Sequence, residues 1–112
     1  MPTFPKGARL LRADEFQAVK ERGISARSGP MAVANLAGDG RRLGIAVSRR
    51  VGDAVQRNRI KRVIREHFRV SSKGYPRGDC VVIPGVGAAE LTNGEIRKRL
   101  VRALELLNQR LK

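Results

Sequence analysis

Residues 51–69, VGDAVQRNRIKRVIREHFR, decide how the chain is organised. Six of these nineteen residues are Arg or Lys, yet a regular apolar pattern runs through them. With Ile60 at zero and about 100° per residue, Val63, Ile64, His67 and Phe68 fall within about 80° of it. Asn58, Lys61, Arg62, Arg65 and Arg69 fall between about 100° and 200°, and Arg57 and Arg59 lie on the two flanks. The spacing predicts a helix over about 53–70 that packs one face on the domain and presents donors on the other.

That second face has two readings. A solvated helix usually mixes signs, with Glu and Lys at i, i+4. Here Arg57, Lys61 and Arg65 follow one another at that spacing with like charge, and Glu66 is the only carboxylate among them. Like-charge pairs cost roughly a few tenths of a kcal/mol each in a free helix. The arrangement makes sense if phosphates lie against it, which favours a polyanion-binding surface over a solvated one. Arg49 and Arg50, just upstream, would extend the patch from the end of the preceding strand. Charge does not explain Asn58; an amide donates and accepts, so it can read a base edge or fix an Arg.

Working outward, RRLGIAVSRR alternates Leu43, Ile45 and Val47 with Gly44, Ala46 and Ser48. It is expected to be the antiparallel partner of PMAVANLAGDG, a strand running into a turn. Before these, RADEFQAVKERG predicts a helix over about 13–22, with Phe16 and Val19 on one face and Gly23 as its C-terminal cap. Residues 1–9 are expected to be an irregular lead-in.

Downstream, SSKGYPRG is a loop and DCVVIPG a short buried strand. GVGAAE begins like a nucleotide loop but lacks the third glycine and a following Lys-Ser/Thr, so a connecting turn is expected. LTNGEIRKRLVRALELLNQRL predicts an amphipathic helix. Thr92 and Glu95 have capping-box spacing, and Ile96, Leu100, Ala103, Leu104, Leu107 and Leu111 form the apolar stripe. The expected architecture is one α+β domain over residues 1–112, a small two-layer sandwich of helices on a mostly antiparallel sheet.

The composition agrees. The chain has 112 residues, 41% of them hydrophobic, enough for one core. A formal charge of +14 makes a compact domain repel itself, so a neutralising partner is expected. Nucleic acid comes first, an anionic membrane second and acidic proteins third. Arg far outnumbers Lys, and its planar fork suits phosphates and base edges. Cys80 is the single cysteine, which excludes an intramolecular disulfide and fits a reducing cytoplasm. The first residues carry no signal-like h-region, and no apolar run reaches the roughly 20 residues that span a bilayer.

Catalysis by the protein alone is not expected. Phosphodiester hydrolysis usually needs clustered carboxylates for metals, or a His pair. The ten acids are scattered and there is one His. His67 is expected to be a packed or hydrogen-bonded core histidine and Cys80 a buried small hydrophobe, neither binding metal. Phe16 stays open between core packing and a stacking platform. Arg97, Lys98, Arg99 and Arg102 stay open between a solvated face and a second RNA contact. A sequence-specific DNA binder is disfavoured because a strand, rather than a turn and second helix, precedes the basic helix. A membrane-surface helix is disfavoured by the lack of Trp. A self-sufficient nuclease remains as the enzymatic alternative.

The stretch VSRRVGDAVQRNRIKRVIREHFR resembles the signature of the bacterial ribonuclease P protein subunit family. Its centre is Arg57, Asn58, Arg59, Ile60, Lys61 and Arg62. Val47, Ser48, Arg49 and Arg50 match the strand before it, Gly52, Ala54 and Val55 the linker, and Arg65 and Glu66 its end. LRADEFQAVKERG and DCVVIPGVGAAELTNGEIRKRL extend the likeness from about residue 9 onward.

The resemblance implies a ribosomal protein S5 domain 2-like fold with a left-handed βαβ crossover through the basic helix. It implies the small subunit of a ribonucleoprotein that removes the 5′ leader from precursor tRNA. The ribonuclease P RNA would be the catalyst and the protein alone inactive, with Mg²⁺ held mostly by RNA and a 1:1 complex. The protein would bind the leader and raise substrate and Mg²⁺ affinity. Arg49, Arg50, Arg57, Asn58, Arg59, Lys61, Arg62, Arg65 and Arg69 would face the catalytic RNA. A groove between the first helix and the sheet would hold the leader, with Phe16 as its aromatic. Family members often carry a second aromatic one turn later, where this chain has Lys20, so phosphate contact would replace stacking there. Neither DNA nor membrane is expected as a partner. The alternative is a structural rRNA- or tRNA-binding protein without a catalytic partner.

Overall fold

Each helix forms where the sequence supplies an apolar stripe, and the two longer ones also receive side-chain caps at their N-termini. The computed structural model describes residues 12–112; the lead-in expected over residues 1–9 lies outside them. Helix α1 spans Ala13–Arg22, as the spacing predicts. Asp14 and Glu15 in its first turn and Lys20 and Arg22 in its last complement the helix dipole. Gly23 does follow it, but with extended backbone (φ −82°, ψ 172°) rather than a left-handed cap. Space selects glycine here: a Cβ would stand 2.4 Å from the Val19 carbonyl oxygen and 2.5 Å from that of Asn35.

Helices α2, Ala54–Ser71, and α3, Asn93–Arg110, both begin with capping boxes. In α3 it is the expected Thr92–Glu95 pair. In α2 it is Asp53 and Gln56, each side chain accepting from the other's backbone N–H at 2.8 and 2.9 Å. Short 3₁₀ turns at Ser72–Gly74 and Ala88–Glu90 lie in the segments read as loop and connecting turn.

The strands are β1 (Ile24–Ser28), β2 (Met31–Leu36), β3 (Arg41–Ile45) and β4 (Gly78–Pro84), in the spatial order β1-β2-β4-β3. β1–β2 and β2–β4 are antiparallel, whereas β3–β4 is parallel. This corrects the expected β2–β3 pairing. β4 is buried along nearly its whole length and takes a central place beside β2, while β3 begins with exposed Arg41 and sits at the edge. β1 was not anticipated at all: of its residues ISARS only Ala26 and Ser28 are buried, so no apolar alternation announces it. A two-residue turn, Gly29-Pro30, with Gly29 at φ 58°, joins it to β2.

The α+β class and the crossover through the basic helix are as expected: α2 connects the parallel neighbours β3 and β4. Period-two alternation in the strands feeds two apolar clusters. Met31, Val33, Leu43, Cys80 and Val82 join Ile60, Ile64 and Phe68 of α2 and Ile96, Leu100, Leu104 and Leu107 of α3 in the main core. Ala34 and Val81 meet Val19 of α1 in a smaller cluster, with Phe16, Leu36, Ala46 and Ile83 packed against it. α2 and α3 therefore cover one face and α1 part of the other. α1 is also clasped by charge: Arg42 holds Asp79 through two bonds of 2.8 and 2.9 Å and reaches Glu15 of α1.

Candidate nucleic-acid interface

The basic surface starts where β3 stops. The Ala46 N–H extends the ladder to the Val82 carbonyl at 3.0 Å, and the chain then turns. The Val51 N–H donates to the Ser48 carbonyl at 3.1 Å, which places Arg49 and Arg50 at the tip, both exposed. They thus sit in a turn between β3 and α2, past the strand end. Asp53 then caps α2, and the helix carries the remaining signature residues.

The apolar arc is buried as the periodicity predicts: Ile60, Val63, Ile64 and Phe68 face inward and His67 is half-buried. Asn58, Arg62 and Arg65 are exposed and Lys61 partly so, and none of these side chains makes a hydrogen bond or ion pair among the described residues. Arg57 is partly buried, its Nε a long 3.4 Å from the Asp53 carbonyl. Arg69 is exposed but paired with Glu66 one turn back, which raises its pKa and lowers that of Glu66. Arg59 points toward α3 and donates to Asn93 Oδ1 at 2.6 Å and to the Ala89 and Leu91 carbonyls at 2.9 and 3.1 Å.

Phe16 and Lys20 of α1 line a groove of about 570 Å³. Lys61 of α2 lines it too, with the segment beyond β3 (Ala46 to Ser48) and the segment beyond β4 (Gly85 and Val86). The fold thereby brings residues more than forty positions apart in sequence into one channel. Phe16 packs against the small cluster, as one of its two open readings expects, and it also lines the groove.

His67 and Cys80 are held inside the fold. His67 Nδ1 lies 2.8 Å from the Tyr75 hydroxyl. Burial holds that phenol above its ordinary pKa, so the hydroxyl keeps its proton, and the His67 tautomer sets which group donates. Burial, and then the nearby Arg97, hold His67 below its ordinary pKa. Cys80 is buried, its thiol pushed up to about 12 by desolvation. Among the described residues no three His, Cys, Asp or Glu side chains converge on a possible metal position. No helix among them is long and apolar enough to cross a membrane. Arg97, Lys98, Arg99 and Arg102 are exposed, and Arg102 lies 3.9 Å from Glu105.

Sequence reasoning missed the Asp53–Gln56 box, although its spacing was legible, and the Arg42 clasp, which carries no local signal. It also missed the acceptors of Arg59, which belong to a segment thirty residues away.

Comparison with known proteins gives both a family and a matching fold. A family model described as Ribonuclease P matches residues 4–108. The ribonuclease P protein component of Staphylococcus haemolyticus is 37% identical over 103 residues, covering 90% of each chain. That of Staphylococcus carnosus is 36% identical over 113 residues, covering 96% of this chain and 98% of the relative. A solved Staphylococcus aureus RNase P protein superposes with a TM-score of 0.84 at 34% identity, covering 90% of this chain and 95% of the other. The Thermotoga maritima RNase P protein gives 0.74 at 33% identity, over 90% and 96%.

Proposed function

The chain belongs to the ribonuclease P protein family, and from that premise we propose that it is the RNA-binding subunit of a tRNA-processing endoribonuclease. Its partners are the ribonuclease P RNA, bound 1:1, and precursor tRNA, and it works in the cytoplasm. The RNA carries the chemistry of removing the 5′ leader. The protein holds the leader and raises the affinity for substrate and Mg²⁺.

One observation carries this reading: Phe16 and Lys20 of α1 share a groove with Lys61 of the signature helix. A single strand laid in the groove meets an aromatic ring for stacking and a lysine on either element for its phosphates. Its far end then lies beside the unpaired Asn58, Arg62 and Arg65, where the catalytic RNA docks. Lys20 in place of a second aromatic makes the grip more electrostatic than stacked.

The protein's part in the reaction is to lower repulsion between two large polyanions and to raise the local concentration of substrate and cations. The described acids do not fit a protein-held Mg²⁺ site. In this reading Mg²⁺ is held by RNA phosphates.

The test is 5′-end processing of a precursor tRNA at low Mg²⁺ with a bacterial ribonuclease P RNA present or absent. The protein alone is expected to be inactive, the RNA alone slow, and the mixture fast. A mixture no faster than the RNA alone would replace this reading with a structural RNA-binding role.

A further inference from the structure

We infer that Arg59, at the heart of the signature, is a positioning residue that braces the groove wall and makes no phosphate contact. Its neighbours in sequence, Asn58, Lys61 and Arg62, leave their polar ends unpaired among the described residues. Arg59 differs in that its fork is already occupied. Nη2 donates to the carbonyls of Ala89 (2.9 Å) and Leu91 (3.1 Å), and Nη1 to Asn93 Oδ1 (2.6 Å).

Those acceptors bracket one junction. Ala89 is the middle residue of the short 3₁₀ turn, Leu91 follows the turn, and Asn93 is the first residue of α3 after its Thr92 cap. Ala89 lies within the 3₁₀ turn and Leu91 between it and α3, and a guanidinium is suited to hold two carbonyls and an amide at once because its donors are planar and fixed. The same connection begins with Gly85 and Val86, which line the groove. Arg59 therefore ties the signature helix to the wall on which the leader is proposed to rest. The brace itself stands on the observed bonds; its consequence for the leader rests on the proposed function.

The test separates charge from geometry. Arg57→Ala, Arg59→Ala and Arg59→Lys are compared in the full-length protein bound to ribonuclease P RNA. The readouts are the salt dependence of affinity and amide exchange of residues 88–96. Lys keeps the charge and loses the fork.

Arg59→Ala is expected to leave the log–log salt slope unchanged within error, while Arg57→Ala flattens it by about one unit. Both Arg59 variants are expected to lose protection at residues 88–96 by at least about tenfold relative to the natural protein. In the assembled enzyme they should raise KM for a long-leader substrate several-fold, with KM for a leaderless one unchanged. Phe16→Ala reports independently on whether the groove holds the leader.

If Arg59→Ala flattens the slope like Arg57→Ala and Arg59→Lys restores it, Arg59 is a phosphate contact and the inference is overturned. Unchanged protection at 88–96 in both variants overturns it as well. If Phe16→Ala leaves the leader dependence intact, the groove reading fails by itself, and slope and protection still decide the brace.

Discussion

At the residue scale, neighbours of like chemistry are set apart by what lies beside them. Asn58 is exposed and unpaired, so Asn58→Ala should change stability by less than about 0.5 kcal/mol. Weaker binding of ribonuclease P RNA should be its visible effect, read by filter binding beside a thermal melt. Gly23 is the opposite case. Gly23→Ala drives a methyl into two backbone oxygens at 2.4 and 2.5 Å, with no flexible side chain to yield. A loss of about 1–3 kcal/mol is expected in urea unfolding. His67, the chain's one histidine, titrates below its ordinary pKa because it is desolvated and faces Arg97. The unfolded chain binds a proton near pH 6.5 and the folded one only at lower pH, so stability is full above about 6.5 and falls as pH drops through the folded value. His67→Gln should flatten the melting temperature between about pH 7 and pH 5 relative to the natural protein.

At the element scale, α2 serves two masters. Its apolar arc is covered by the sheet and α3, and its other face is left to charge. The like-charged row Arg57, Lys61 and Arg65 works against the helix, and the Asp53–Gln56 box works for it by satisfying orphan N–H groups at the first turn. Asp53→Ala should cost about 1 kcal/mol, seen as a lower urea midpoint with an unchanged m-value. RNA binding should recover part of that loss, because phosphates neutralise the row that the cap offsets. Helix α1 is short and depends on its dock: Val19 in the small cluster and Glu15 on Arg42. Its two groove residues, Phe16 and Lys20, are only as well placed as that dock allows.

At the scale of the whole molecule, charge and topology act together. The chain carries a net +14, and its described residues form a body of only 33 × 30 × 26 Å, so charge is dense and a polyanion is attracted from a distance. Unpaired basic and amide groups line α2 and the turn that precedes it, while α3 carries a second exposed set at Arg97, Lys98 and Arg99. Affinity for ribonuclease P RNA should fall steeply with salt, by about 0.7 to 0.9 log units per tenfold salt for each phosphate neutralised. Lys20→Ala should weaken binding of long-leader precursors and spare leaderless ones; equal loss on both would remove Lys20 from the groove's function.

The sequence by itself determined the helices, the buried arc of α2, the α3 stripe and its cap, because each rests on contacts within a few residues. Period and spacing are local properties, and they survive whatever the rest of the chain does. It also determined the family, since the signature is one continuous run. Only the tertiary structure decided that β4 inserts between β2 and β3, that polar β1 pairs at the edge, and that Arg42 clasps α1. The same holds for the two-sided groove and for the acceptors of Arg59. The β1 hairpin is local but carries no apolar signal; each of the others joins segments some thirty or more residues apart, or depends on which of several apolar strands wins the central place. That choice is made by total burial, a quantity no single stretch carries.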